Sequence, residues 1–131
     1  MRKQKATLIF PFILLISIFQ SLSPGGAMGA QRKVARVVYI TLTSKACSCT
    51  LERCQDGDIV VGNVFNGARR SLLRRIDYAT DEEAAMVYIK KYRLPQAPAL
   101  LFLDAQGKLL WKTSGELSEK EIRKELRSLG S

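Results

Sequence analysis

Residues 34–43 read VARVVYITLT, a run so evenly β-branched and apolar that it lacks the in–out alternation of a half-exposed strand. Such a run suits an inner strand covered on both faces, and that commits the chain to helices layered on a central sheet. Three cysteines follow it within eight residues: Cys47, Cys49 and Cys54.

The rest of the chain supplies the layers. Between residues 50 and 66, Val61, Val64, Phe65 and Ala68 fall at helical spacing. Asp56-Gly57-Asp58 and the Ile59-Val60-Val61 run resist a helix and favour a kink. The same acidic pair lacks the further oxygen ligands of a calcium loop. Residues 72–78 (LLRRIDY) predict a second strand. Thr80 and Glu83 then have the spacing of a capping box. The helix they open carries Ala85, Tyr88, Ile89 and Tyr92 on one face, with Lys90 and Lys91 near its negative end. Pro95 and Pro98 force extended geometry on the residues before them. Residues 99–103 predict a short buried strand, 104–107 a hairpin turn and 108–113 its return, with Trp111 as packing. Ser118 and Glu121 cap a last helix, stapled by Leu117 and Ile122. Ile122, Leu126 and Leu129 line its buried face, and Gly130 ends it. The order β-α-β-α-β-β-α predicts one α/β domain, a three-layer sandwich with a central mixed sheet.

Residues 1–30 read differently. A short basic start (Arg2, Lys3, Lys5) precedes fourteen uncharged residues, 6–19, and a small-residue stretch with Ala27 and Gly29. This is the pattern of a secretory signal peptide cleaved near Gly29 or Ala30, leaving a domain of residues 31–131. The apolar run is short for a membrane span. No cysteine stands near the cleavage point to take a lipid. Removing the leader lowers the net charge from +9 to +6, since it holds three basic residues and no acidic one. The remaining basic residues are spread along the chain without aromatic interleaving, so no nucleic-acid partner is expected.

The chain has no histidine, which excludes a Ser-His-Asp triad, a Cys-His protease pair and imidazole-ligated zinc. The cysteines are the candidates for chemistry. Export places them where disulfides persist, and an odd number excludes a framework of structural bridges alone. A thiol at a helix start feels the positive end of the dipole. Lys45 and Arg53 add positive charge there and Glu52 opposes it. Cys47 is therefore the candidate nucleophile, with a pKa below the roughly 8.5 of a free thiol, and Cys49 the nearest resolving thiol. A Cys-x-Cys bridge closes a small ring and is expected to be easily reduced, which suits an oxidant or isomerase. Cys54 lies two turns along the helix, either as a buried apolar group or as a third thiol. Three thiolates also suit a soft ion, Cu(I), Zn(II), Hg(II) or As(III), held by Cys47, Cys49 and Cys54.

From 34 to 129 the chain resembles the thioredoxin-like superfamily. Cysteines follow the first buried strand and precede a helix. The stretch Tyr92-Arg93-Leu94-Pro95-Gln96-Ala97-Pro98-Ala99-Leu100-Leu101-Phe102 is similar to that family's turn, cis-proline and strand, and the hairpin and closing helix match its end. The resemblance implies a minimal version of the fold. It implies a cis Pro98 facing the redox cysteines, with Ala97 presenting its backbone to substrate. Where the family has Cys-x-x-Cys, Thr50 stands at the second cysteine's place, and Thr41 stands where many relatives bury an acid. The reading is a monomeric periplasmic or secreted thiol–disulfide exchange protein without cofactor. Its expected partners are exported proteins bearing thiols or disulfides, with a membrane electron donor as a further option. The alternatives are the soft-metal or metalloid carrier and a redox-inert adaptor.

Overall fold

The computed structural model describes residues 32–130; the expected leader, residues 1–30, lies outside the described residues. The elements are β1 (Arg36–Thr41), α1 (Ser48–Val64), a 3₁₀ helix (Gly67–Leu72), β2 (Leu73–Asp77), α2 (Glu82–Tyr92), β3 (Ala99–Leu103), β4 (Leu109–Ser114) and α3 (Glu119–Ser128). The sheet order is β2-β1-β3-β4. β1 runs parallel to β2 and antiparallel to β3, which pairs antiparallel with β4. This is the expected α/β mixed sheet.

β1 and β3 are buried on both faces, and each face has its own core. Val37 and Tyr39 of β1, with Leu100 and Phe102 of β3, pack against Val61 and Val64 of α1 and Ile122 and Leu126 of α3. Val38 and Ile40, with Ala99, Leu101 and Leu103, pack against Ala85, with Tyr88 and Ile89 of α2 partly buried beside them. Successive strand residues serve opposite cores because side chains alternate across a sheet. Each fully buried aliphatic side chain contributes about 1.5–3 kcal/mol, so the unbroken apolar run is what holds three layers together. Trp111 packs on Phe102, ring centroids 4.9 Å apart. Among the described residues no helix is long and apolar enough to cross a membrane.

Three local expectations are corrected. Helix α1 spans 48–64 rather than 50–66 and runs unbroken through Asp56-Gly57-Asp58. Its tertiary seat overrides the weak propensity of that stretch. Ala68 falls outside α1, on the 3₁₀ helix, and is exposed. The cap of α2 is Asp81, whose side chain accepts from the Ala84 amide. Thr80 is instead drawn into a turn, with its amide and that of Asp81 donating to the Asp77 carbonyl at 3.2 and 2.8 Å. An Asp caps as well as a Thr, so the helix moves by one residue at no loss. The last helix starts as expected, with Ser118 accepting from the Glu121 amide and Leu117 and Ile122 buried together.

Candidate functional site

After Thr41 the chain turns through Lys45, which holds a left-handed conformation (φ 62°). That conformation costs a non-glycine residue about 1 kcal/mol or more and delivers Cys47 to the start of α1. Cys47 is the N-cap residue. Its carbonyl accepts from the Thr50 and Leu51 amides at 3.0 and 3.1 Å, and its side chain caps nothing. No acidic residue occupies the first turn, so none there offsets the positive helix end at the thiol.

Cys47 and Cys49 are both exposed free thiols, with their Sγ atoms 2.7 Å apart. The Thr50 hydroxyl lies 3.2 Å from the Cys47 sulfur. Hydrogen bonds from the Cys49 thiol, then from the Thr50 hydroxyl and amide, lower the Cys47 pKa to about 7. Thr50 is thus a participant that the spacing of cysteines alone does not reveal. A hydroxyl one helical turn after a cap-position thiol is the signal that finds it.

Cys54 belongs elsewhere. It is 1% exposed, and its carbonyl accepts from the Tyr39 hydroxyl at 3.2 Å. Among the described residues no three cysteine or acidic side chains are grouped to hold a metal ion. Cys47, Cys49 and Cys54 therefore do not form one cluster. Asp58, from the acidic pair, is engaged by Arg75 at 3.0 Å.

The Ala97–Pro98 bond is cis, as the resemblance implies, but Pro98 does not face the Cys47–Cys49 pair. A Cβ on Gly57 would stand 3.0 Å from Cγ of Pro98, so the ring meets α1 one turn beyond Cys54. Cys47 is ten residues before Gly57, about 15 Å along the helix axis. Unbroken helix in the first turns carries the cysteine pair past the proline. Arg53 reaches Gln96 at 3.4 Å, a second tie between α1 and this loop. Ala97 lines an apolar cavity of about 220 Å³ with Ile40, Leu42, Tyr78, Ile89 and Gln96. Leu42 and Tyr78 also line a smaller depression that includes Lys45, two residues before Cys47.

No protein-family model matches the chain, and no curated protein matches it by sequence. Solved structures do. The C-terminal domain of DsbD from Neisseria meningitidis, in its reduced form, superposes with a TM-score of 0.53 at 15% identity, covering 74% of this chain and 83% of that one. The fold is thioredoxin-like. A thioredoxin from Malassezia sympodialis (TM-score 0.49, 14% identity, 76% and 81% covered) and one from Thermus thermophilus (0.45, 19%, 71% and 71%) are also similar in structure. Within this thioredoxin-like fold, Thr41 is the residue expected at the buried-acid place, and it is fully buried at the end of β1.

Proposed function

We propose that the protein carries out thiol–disulfide exchange at Cys47 and Cys49. The observation that supports this reading is the pair of exposed sulfurs 2.7 Å apart at a helix N-terminus, with the Thr50 hydroxyl against the first of them. The Cys47 thiolate attacks one sulfur of a substrate disulfide, forming a mixed disulfide and releasing the other sulfur as thiolate. Cys49, giving up its proton, attacks the Cys47 sulfur. That step forms the Cys47–Cys49 bridge and frees the second substrate thiol. The substrate gains two electrons and two protons, and the reverse sequence oxidises a dithiol. Neither direction needs a cofactor. The trough from Lys45 past Leu42 and Tyr78 to Ala97 is our candidate for the docking surface of a cysteine-bearing polypeptide. The leader-like residues 1–30 support export, to a compartment where disulfides persist.

The test is thiol–disulfide exchange between the reduced protein and a model peptide carrying an intramolecular disulfide, followed by mass under non-reducing conditions. Cys47→Ser abolishes exchange and Cys49→Ser accumulates the mixed disulfide, whereas Cys54→Ala retains exchange. Loss of exchange in Cys54→Ala alone, or a Cys49→Ser variant that behaves as wild type, overturns the assignment.

A further inference from the structure

The two ends of the molecule differ in charge. Helix α2 starts at the cysteine-bearing end, where Glu82 and Lys45 line one depression, with Asp81 as its cap and Glu82 and Glu83 in its first turn. Its last turn carries Lys90 and Lys91 toward the opposite end. That end is built from the start of β1, the end of β3 and the turn into β4, since Arg36 pairs with Leu103.

Two open depressions share the Ala105–Gln106 turn there. One, of about 800 Å³, is lined by Arg32, Lys33 and Lys108. The other, of about 280 Å³, is lined by Arg36 and Lys91. All five residues are exposed, and none is in an ion pair among the described residues. The one acid in either lining is Asp104, whose Oδ1 accepts from the Gln106 and Lys108 amides at 2.9 and 2.8 Å. Bases that lie far apart in the sequence are thus gathered by the fold onto one end, with a single carboxylate among them. Like charges so placed repel each other, and an anionic surface relieves the repulsion.

This end is also apolar in part. Val87, 58% exposed, borders the second depression beside Arg36 and Lys91. Bases around an exposed aliphatic group suit the headgroup layer of a membrane, where cations meet phosphates and the apolar group reaches the acyl boundary. The chain also enters the fold here. Arg32 is the first described residue, and the uncharged residues 6–19 precede it in the sequence.

We infer that this end is a docking surface for an anionic phospholipid membrane. Arg32, Lys33, Arg36, Lys91 and Lys108 meet headgroup phosphates, and Val87 enters between the headgroups. Strand β1, six residues long, separates this end from the other by about 17 Å. Docking therefore holds Cys47 clear of the bilayer and open to polypeptides in solution. The binding itself uses none of the thiol chemistry.

Co-sedimentation of the full chain with vesicles tests it, comparing equal parts phosphatidylglycerol and phosphatidylcholine with phosphatidylcholine alone. The readout is the excess of binding to the anionic vesicles, so an apolar contribution of residues 6–19 common to both cancels. An excess that falls with added salt is expected. Lys33→Gln/Lys108→Gln reduces it by about 25-fold, at about fivefold for each base near a lipid surface. Lys45→Gln/Arg53→Gln, an equal loss of charge at the cysteine-bearing end, leaves it nearly unchanged. Cys47→Ser binds as wild type, which separates this inference from thiol exchange. No preference for anionic vesicles, or equal losses in the two paired variants, overturns the inference. Binding to a polyglutamate peptide as tight as to the vesicles overturns it too, and assigns the surface to an acidic protein.

Discussion

Gly57 meets Pro98 with no side chain between them. A Cβ there would sit 3.0 Å from Cγ of Pro98 and 2.9 Å from the Tyr39 hydroxyl oxygen, closer than such atoms normally rest. Pro98 is a rigid ring and Tyr39 is held by its bond to the Cys54 carbonyl, so neither gives way freely. Gly57→Ala gains about 1 kcal/mol of helix propensity but overpacks a site where added carbon costs about 1–3 kcal/mol. A net loss of up to about 2 kcal/mol is expected in urea denaturation. Gly62, on the same helix, has open space where a Cβ would stand, with nothing within 4 Å. Gly62→Ala should therefore stabilise by roughly 0.5–1 kcal/mol, and a loss at Gly62 as large as at Gly57 would refute this account of the close approach.

The alkylation rate of Cys47 should follow its thiolate. With a pKa lowered to about 7, the rate with iodoacetamide rises as pH increases through about 7 and levels off above it. The midpoint lies below that of an ordinary thiol because the hydrogen bonds favour the charged form. Thr50→Val removes one of those donors and moves the midpoint upward. An unchanged midpoint in that variant shows that the hydroxyl has no part.

Buried Cys54 should resist the same reagent while Cys47 and Cys49 react. Under native conditions, mass spectrometry is expected to find two modified cysteines, and a third only after denaturation. Cys54→Ala leaves a small cavity in a packed site, so stability falls by about 1–2 kcal/mol while exchange persists. Equal reactivity of all three thiols in the folded protein contradicts the burial described above.

Asp77 links β2 to the segment leading toward the cysteines. Partial burial raises its pKa, but the Thr43 hydroxyl and the Ala79 and Thr43 amides outweigh that and lower it overall. A carboxyl with a depressed folded pKa stabilises the protein above its unfolded pKa, roughly 3.9. That contribution is lost as pH falls through the folded value. Asp77→Asn should therefore lower stability at neutral pH and flatten the decline below about pH 4. Parallel acid-denaturation curves for variant and wild type would show that the carboxylate is not involved.

Strands and caps are legible because their causes are local. The apolar run of 34–43 marks a strand covered on both sides, and Ser118 with its staple marks a helix start. The cap of α2 stands one residue from its expected place because Thr80 and Asp81 are both competent caps. The Asp77 carbonyl makes the choice by taking both of their amides. For α1, composition argues against continuity across Asp56-Gly57-Asp58. Packing against Tyr39 and Pro98 turns the glycine from a break into a requirement.

By itself the sequence determined the order of elements, the layered α/β architecture, and the placing of a cysteine at the start of a helix. Those follow from periodicity, β-branching and helix ends, all set within a few residues of chain. Only the tertiary structure decided which cysteines share a site. The unbroken helix keeps Cys47 and Cys49 together at its exposed end and turns Cys54 inward, and it sets Pro98 against Gly57 rather than against the pair. Each of those outcomes depends on the direction of a helix relative to strands distant in sequence, and local spacing carries no information about that direction.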